Sequence, residues 1–205
     1  MKKTLYSKGE TERLVLLALL TALVAVLSYF GGFIKIGGLA SVSLTLIPVV
    51  LGSALLGPLS GAWLGGVAGA IFFATADAAF WFGLSIPGTI VTVMVKGILS
   101  GYLAGLTYKL LEKFNRYLAV LAAAVVCPVV NTGIFLLGCV VFFLDTVKAM
   151  ATSEGISVFA YLIIFFVGLN FIFELVFNII LSPAILRIIN IRKPKKTAEE
   201  TEKQV

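Results

Sequence analysis

Few side chains in this sequence can do chemistry, and those that can stand inside apolar runs. Lys96 lies eight residues into the stretch 88–110, and Glu174 lies midway along 156–189. Asn170 and Asn178 flank Glu174 at four-residue intervals, so on a helix all three share one face. Asn131 and Thr132 stand near the middle of 117–144. A charge at depth in hydrocarbon costs roughly 2.5 to 3.5 kcal/mol even on the lenient insertion scale, so such residues mark solute or ion pathways by default. Lys96 sits about 12 Å from the end of its stretch by helical rise, too deep for easy snorkelling. One reading places these groups around a solute chamber in the outer half of a bundle, built by the stretches 88–110, 117–144 and 156–189. Lys96 would then meet an anionic group, while Asn131, Asn170 and Glu174 take hydroxyls or amides. The plainer reading is that Lys96 and Glu174 neutralise one another as structural glue.

Other chemistry is poorly supplied. The chain has no histidine, and no Cys/His cluster stands ready for a metal, so neither metal nor cofactor is expected. Cys127 and Cys139 are twelve residues apart in one apolar stretch, about 18 Å along a helix, too far for a disulfide. No phosphate-binding loop is present, so the chain is not expected to hydrolyse ATP itself. Lys96 and Glu174 alone are thin support for an intramembrane enzyme, which would need paired acids or a nucleophile with its base. Trp81, between Phe80 and Phe82, admits two roles: a lid over the chamber, or part of the aromatic belt common at span ends. Asp77 reads as a solvated charge at a helix end.

The elements that position these residues are helices. Glycines recur at 57, 61, 65 and 69, and again at 97, 101 and 105, each time within an apolar run. In water each such glycine weakens a helix by up to about 1 kcal/mol. Between helices in lipid, small residues at every fourth position permit close backbone approach. The stretch 57–76 therefore reads as a central helix against which its neighbours lie. Around it the sequence predicts spans over 14–30, 44–56, 88–110, 117–144 and 156–189, the last breaking or projecting near Ser182-Pro183. Connections are expected over 31–43, 77–87, 111–116 and 145–155. No small-x-small cleavage site follows the first span, which therefore reads as a retained helix rather than a signal peptide. Ala18 and Ala22, with Ala25 beyond, give that span a small-residue face for packing in the bundle or for a foreign helix.

Composition supports this layout. Of 205 residues, 60% are hydrophobic and only 13% charged, with mean hydropathy +1.09, too little polar surface to clothe a soluble globule. The net charge of +6 is a matter of topology rather than nucleic-acid binding. Of the 16 basic residues, 13 fall at the N-terminus, in the short 111–116 region with its flank, or from Arg187 to the end of the tail, among them Lys2, Arg13, Lys109, Lys113, Arg116 and Arg192. Lys35 and Lys148 fall in the opposite set of connections. Positive residues gather on the cytoplasmic side. The expectation is an all-α integral membrane protein, a bundle of six transmembrane helices with both termini cytoplasmic. Residues 1–13 form a polar lead, 14–189 the membrane domain and 190–205 a charged tail, with lipid as surroundings and a cell membrane as location.

Three features together resemble a known family. They are the Ala-x-x-x-Ala first helix, the short second span Leu46-Ile47-Pro48-Val49-Val50-Leu51-Gly52, and the turn Leu56-Gly57-Pro58-Leu59-Ser60-Gly61-Ala62 with its glycine ladder. They resemble the substrate-binding (S) components of energy-coupling factor (ECF) vitamin transporters, over nearly the whole chain. The resemblance implies a subunit that captures a vitamin from outside with high affinity. It then docks on a coupling membrane protein with two ATPases and topples to release its cargo inward. Ala18 and Ala22 match the alanine motif that meets the coupling protein. The resemblance also implies a pocket at the outer ends of the later helices, covered by 31–43 and 77–87. The run before the Gly-Pro turn, the Asn131-Thr132 pair followed by Phe135-Leu136-Leu137-Gly138, and the Asn170 to Glu174 face look most like the pantothenate type; folate and riboflavin types share parts of this pattern. A stand-alone secondary transporter is the other class of function. It would display inverted repeats with interrupted helices, and no convincing second copy is visible.

Overall fold

A chain this apolar must satisfy its backbone within its own helices, since lipid offers no hydrogen-bond partners. The computed structural model describes residues 8–31 and 44–192, and every regular element among them is helical. The long elements are α1 (Lys8–Gly31), α2 (Leu46–Leu56), α3 (Pro58–Phe72), α5 (Ile86–Leu111), α6 (Arg116–Phe142) and α9 (Gly168–Arg192), with the short α4 (Ala76–Leu84), α7 (Leu144–Ser153) and α8 (Val158–Tyr161) between them. The expected connection 31–43 lies outside the described residues from residue 32 onward, as do 1–7 and 193–205. Among the described residues, four helices are long and apolar enough to cross a membrane, or up to six if two sharply bent pairs each count as one span. α2, at 11 residues, is shorter than a full crossing. Leu19, Val141 and Ile180 are more than 60% exposed on the outside of the bundle, apolar surface suited to lipid tails.

Local chemistry sets the helix ends. Gly57 alone joins α2 to α3, at φ 102°, a backbone conformation that favours glycine, and its N–H donates to the Ser53 carbonyl at 3.0 Å. Pro58 follows at the first turn of α3, where its missing N–H costs nothing. The Ser85 hydroxyl caps α5 by accepting from Gly88 N at 3.2 Å. Asn115 caps α6, accepting from Tyr117 N and Leu118 N at 2.9 and 3.3 Å.

The two glycine ladders pack on each other. A methyl group added at Gly61 or Gly65 would run into the backbone carbonyl of Gly101 or Gly97, and the reverse additions would meet Gly61 and Gly65 in turn. At Gly105 the obstacle is Pro58 Cα, 2.7 Å away. Farther along, contact loosens: at Gly69 an added Cβ would sit 3.1 Å from the Val93 carbonyl. α3 and α5 are thus in backbone contact toward the end carrying Arg13, Lys109 and Arg116 (the basic end), and they part toward the other.

Three expectations need correction. The stretches 77–87 and 145–155, expected as connections, carry α4 and α7. α4 stands at 82° to α3, and α7 at 93° to 158–165. Runs such as Ala76-Asp77-Ala78-Ala79-Phe80-Trp81 contain no helix breaker, so they coil between their turns. The last stretch does not break at Pro183, which lies inside a continuous α9. Proline cannot donate to the carbonyl four residues back, that of Ile179, and the Ser182 hydroxyl fills this gap by donating to it at 2.8 Å. The break falls instead at Gly168, whose φ of +21° follows a π-helical turn, Leu162–Val167.

Among the described residues, two apolar clusters fill the bundle. One, at the basic end, gathers Val24, Val49, Leu64, Ala104, Val120 and Ile189. The other, at the far end, is built on Trp81, Cys139, Phe143, Val147 and Tyr161.

Candidate functional site

Where α3 and α5 part, a cavity of about 70 Å³ opens. Among the described residues its walls come from five helices: α1 supplies Ser28, α2 Leu46 with Thr45 just before it, α3 Phe72, α5 Lys96 and Ser100, and α6 Asn131. Gly65, Gly69 and Gly97 of the ladders leave the space that side chains would otherwise fill. The polar groups are therefore not lodged in a solid hydrocarbon core.

Among the described residues, Lys96 is the only charged one on this wall. Its Nζ lies 5.1 Å from the centre of the Phe135 ring and 5.7 Å from that of Phe72, so two aromatic faces flank the cation. Contacts of this kind are worth about 0.5–1 kcal/mol when exposed and about 2 kcal/mol or more when desolvated. They stabilise the charge without consuming its hydrogen-bonding capacity, because a ring face is not a lone pair. A lysine held this way can still donate to an anion entering the cavity. Asn131, 8% exposed, adds an amide with both donor and acceptor. The Ser100 hydroxyl is turned back on its own helix, donating to the Gly97 carbonyl at 2.9 Å.

Glu174 is buried, 6% exposed, on α9. It lies within electrostatic reach of Lys96 and of Cys127, but it does not line the cavity. Asn178, one turn on, donates through Nδ2 to the Glu174 carbonyl at 2.8 Å. The Asn170 side chain lies outside the described residues. Trp81 does not line the cavity either. Its buried ring packs edge-on against Phe135 and Phe143, with centroids 5.3 and 5.2 Å away. Trp81 thus backs the ring that flanks Lys96. The chamber expected between three late helices therefore differs from the cavity present, which α1, α2 and α3 help to enclose. Among the described residues, α9 contributes nothing to its wall.

Phe72, Phe135, Ser28 and Thr45 were not singled out from the sequence as site residues. Two of them carry a readable signal. Phe135 follows Asn131 by one helical turn, and Phe72 continues the face of Gly65 and Gly69.

Ala18 and Ala22 lie on the outward side of α1, exposed, while Leu20 and Val24 face the core. The Trp63 indole of α3 donates to the Thr21 hydroxyl at 3.2 Å, tying α1 to α3 beside them. A wider groove of about 570 Å³ lies at the basic end, lined by Glu12, Arg13, Tyr108, Lys109 and Glu112. Its charges are of both signs, and Arg13 is already engaged with the Leu56 carbonyl at 3.1 Å.

The profile of one protein family, described as ECF transporter, substrate-specific component, matches residues 12–186. No curated protein and no solved structure matches the chain. The family consists of transporter components rather than enzymes, and its profile spans every helix that lines the cavity. The chain belongs to the substrate-specific component family of ECF transporters.

Proposed function

We propose that this chain is the pantothenate-capture subunit of an ECF importer. In this reading it crosses the cell membrane six times with both termini in the cytoplasm, as the placement of basic residues supports. The membrane domain 14–189 takes the vitamin from outside, with the 1–13 lead and 190–205 tail on the inner side. Lys96 receives the carboxylate, Asn131 takes an amide or hydroxyl, Glu174 stands behind the site within electrostatic reach of Lys96, and Trp81 backs the Phe135 ring beside it. Ala18 and Ala22 meet a coupling membrane protein carrying two ATPases. The observation that supports this most is Lys96 itself, a cation flanked by two aromatic rings on the wall of a cavity within the bundle. At about 70 Å³ the cavity is smaller than the roughly 300 Å³ at which ligand pockets begin, so capture requires the walls to part.

The purified chain should bind one pantothenate without turnover in calorimetry, and Lys96→Ala should weaken binding at least about 30-fold, as expected when one partner of a buried charge pair is removed. Unchanged affinity in a folded Lys96→Ala protein would remove the assignment. Tight binding of folate or riboflavin in place of pantothenate would keep the capture role and change the vitamin. The two bent helix pairs, at 82° and 93°, favour a second reading as a self-sufficient secondary transporter, whose hallmark is interrupted helices. Uptake into liposomes holding this chain alone would decide for that reading.

A further inference from the structure

Serine and threonine hydroxyls in these helices habitually donate to a carbonyl one turn back. Thr21 donates to Leu17, Ser53 to Val50, Ser100 to Gly97 and Ser182 to Ile179, all at 2.8–2.9 Å. Ser28 of α1 breaks the habit. Its Oγ is shielded from solvent yet has no hydrogen-bond partner among the described residues. Thr92 Oγ1 shares that condition, but it is closed off against Gly138, and neither Tyr108 nor Asn178 lines the cavity. Among the described residues, the Ser28 Oγ is the one shielded, unpartnered side-chain oxygen whose residue lines the cavity that holds Lys96.

We propose that Ser28 determines specificity by hydrogen bonding the captured molecule from the α1 side, while Lys96 holds its anionic group from the α5 side. The inference rests on the reading of this cavity as the capture site. It narrows the ligand class to a small anion that also carries a hydroxyl, amide or carbonyl within reach of the opposite wall. A purely apolar acid would leave the Ser28 hydroxyl without a partner. It also makes α1 a wall of the chamber and not only a surface for a partner. α1 is also the least buried of the four long spans, with 17% of its membrane-spanning window buried against 28–39% for the other three.

The test compares wild type, Ser28→Ala and Ser28→Thr, each checked for an unchanged melting temperature in detergent. Pantothenate affinity is measured by calorimetry, and the small molecules each protein retains through purification are measured by mass spectrometry. The expected result is a loss of about 5- to 10-fold for Ser28→Ala, the size of one neutral hydrogen bond. Ser28→Thr, which keeps the hydroxyl, should recover most of that affinity, a rescue that mere packing would not predict. Equal affinity in wild type and Ser28→Ala overturns the role of Ser28 and leaves the capture site standing. A wild type that ignores pantothenate but retains another small molecule, which Ser28→Ala then loses, supports Ser28 and replaces the vitamin. A wild type that neither binds pantothenate nor retains any small molecule overturns the capture reading and this inference together.

Discussion

Lys96 poses a question of charge in a poor solvent, and its neighbours answer with ring faces rather than with a salt bridge on the cavity wall. Phe135 carries most of that duty, because its ring is the nearer of the two and is itself wedged by Trp81. Phe135→Leu keeps the apolar volume and removes the quadrupole. It should weaken pantothenate binding about 5-fold, corresponding to about 1 kcal/mol of lost cation–π contact. The loss should be smaller than that of Lys96→Ala in the same calorimetric series. A loss equal to that of Lys96→Ala would mean that Phe135 touches the vitamin directly. At this scale the sequence was readable where a residue was costly. A lysine and an asparagine inside apolar runs announce themselves, whereas Ser28, Thr45 and Phe72 are ordinary occupants of membrane helices. Their presence at the cavity depends on how helices far apart in sequence are set side by side, which no single stretch records.

At the level of elements, the α3–α5 contact decides where the cavity lies. Where glycine faces glycine the backbones touch, and where Gly69 meets Val93 they begin to separate. Gly65→Ala should therefore be costly, because the obstacle is a carbonyl oxygen that no rotamer change can move. Overpacking of this kind costs about 1–3 kcal/mol, which in a chain of this size lowers the melting temperature by about 2–12 °C. Gly66→Ala, whose added methyl would meet only the Ile98 side chain at 3.4 Å, should leave the melting temperature nearly unchanged and serves as the control. Equal melting temperatures for both variants would contradict the backbone contact. Both ladders were visible in the sequence from their four-residue spacing, although their mutual facing was not. Less visible were α4 and α7. Short apolar runs between turn residues do not reveal whether they coil, and the rescue of Pro183 by the Ser182 hydroxyl is invisible until the helix exists.

For the molecule as a whole, α1 has two sides with different employment. Leu20 and Val24 anchor it to the bundle, Ser28 reaches the cavity near its far end, and Ala18 and Ala22 remain outward. If Ala18 and Ala22 form the docking face of an ECF subunit, Ala22→Leu should prevent co-purification of the coupling protein and ATPases while leaving pantothenate affinity within about 2-fold, since an exposed substitution of this kind perturbs the fold little. A variant that still co-purifies its partners would move the docking face elsewhere. The all-helical membrane character was legible from composition and pattern together: so little charge cannot clothe a soluble globule, and long continuous apolar runs suit spanning helices rather than alternating barrel strands. The number of crossings was less so, since two of the candidate spans are sharply bent pairs and α2 falls short of a full crossing.

The single-residue joint at Gly57 has a mechanical corollary. With its N–H pinned to Ser53, it fixes a common vertex for α2 and α3 at the basic end. The opposite tip of α2, with Thr45 beside it, stands about 16 Å from that vertex by helical rise. A swing of about 10° about such a fulcrum carries the tip through about 3 Å, the width of a water molecule. The joint is thus placed like the pivot of a pair of tweezers, so that a slight angular change there would open an aperture beside Thr45, within the bundle.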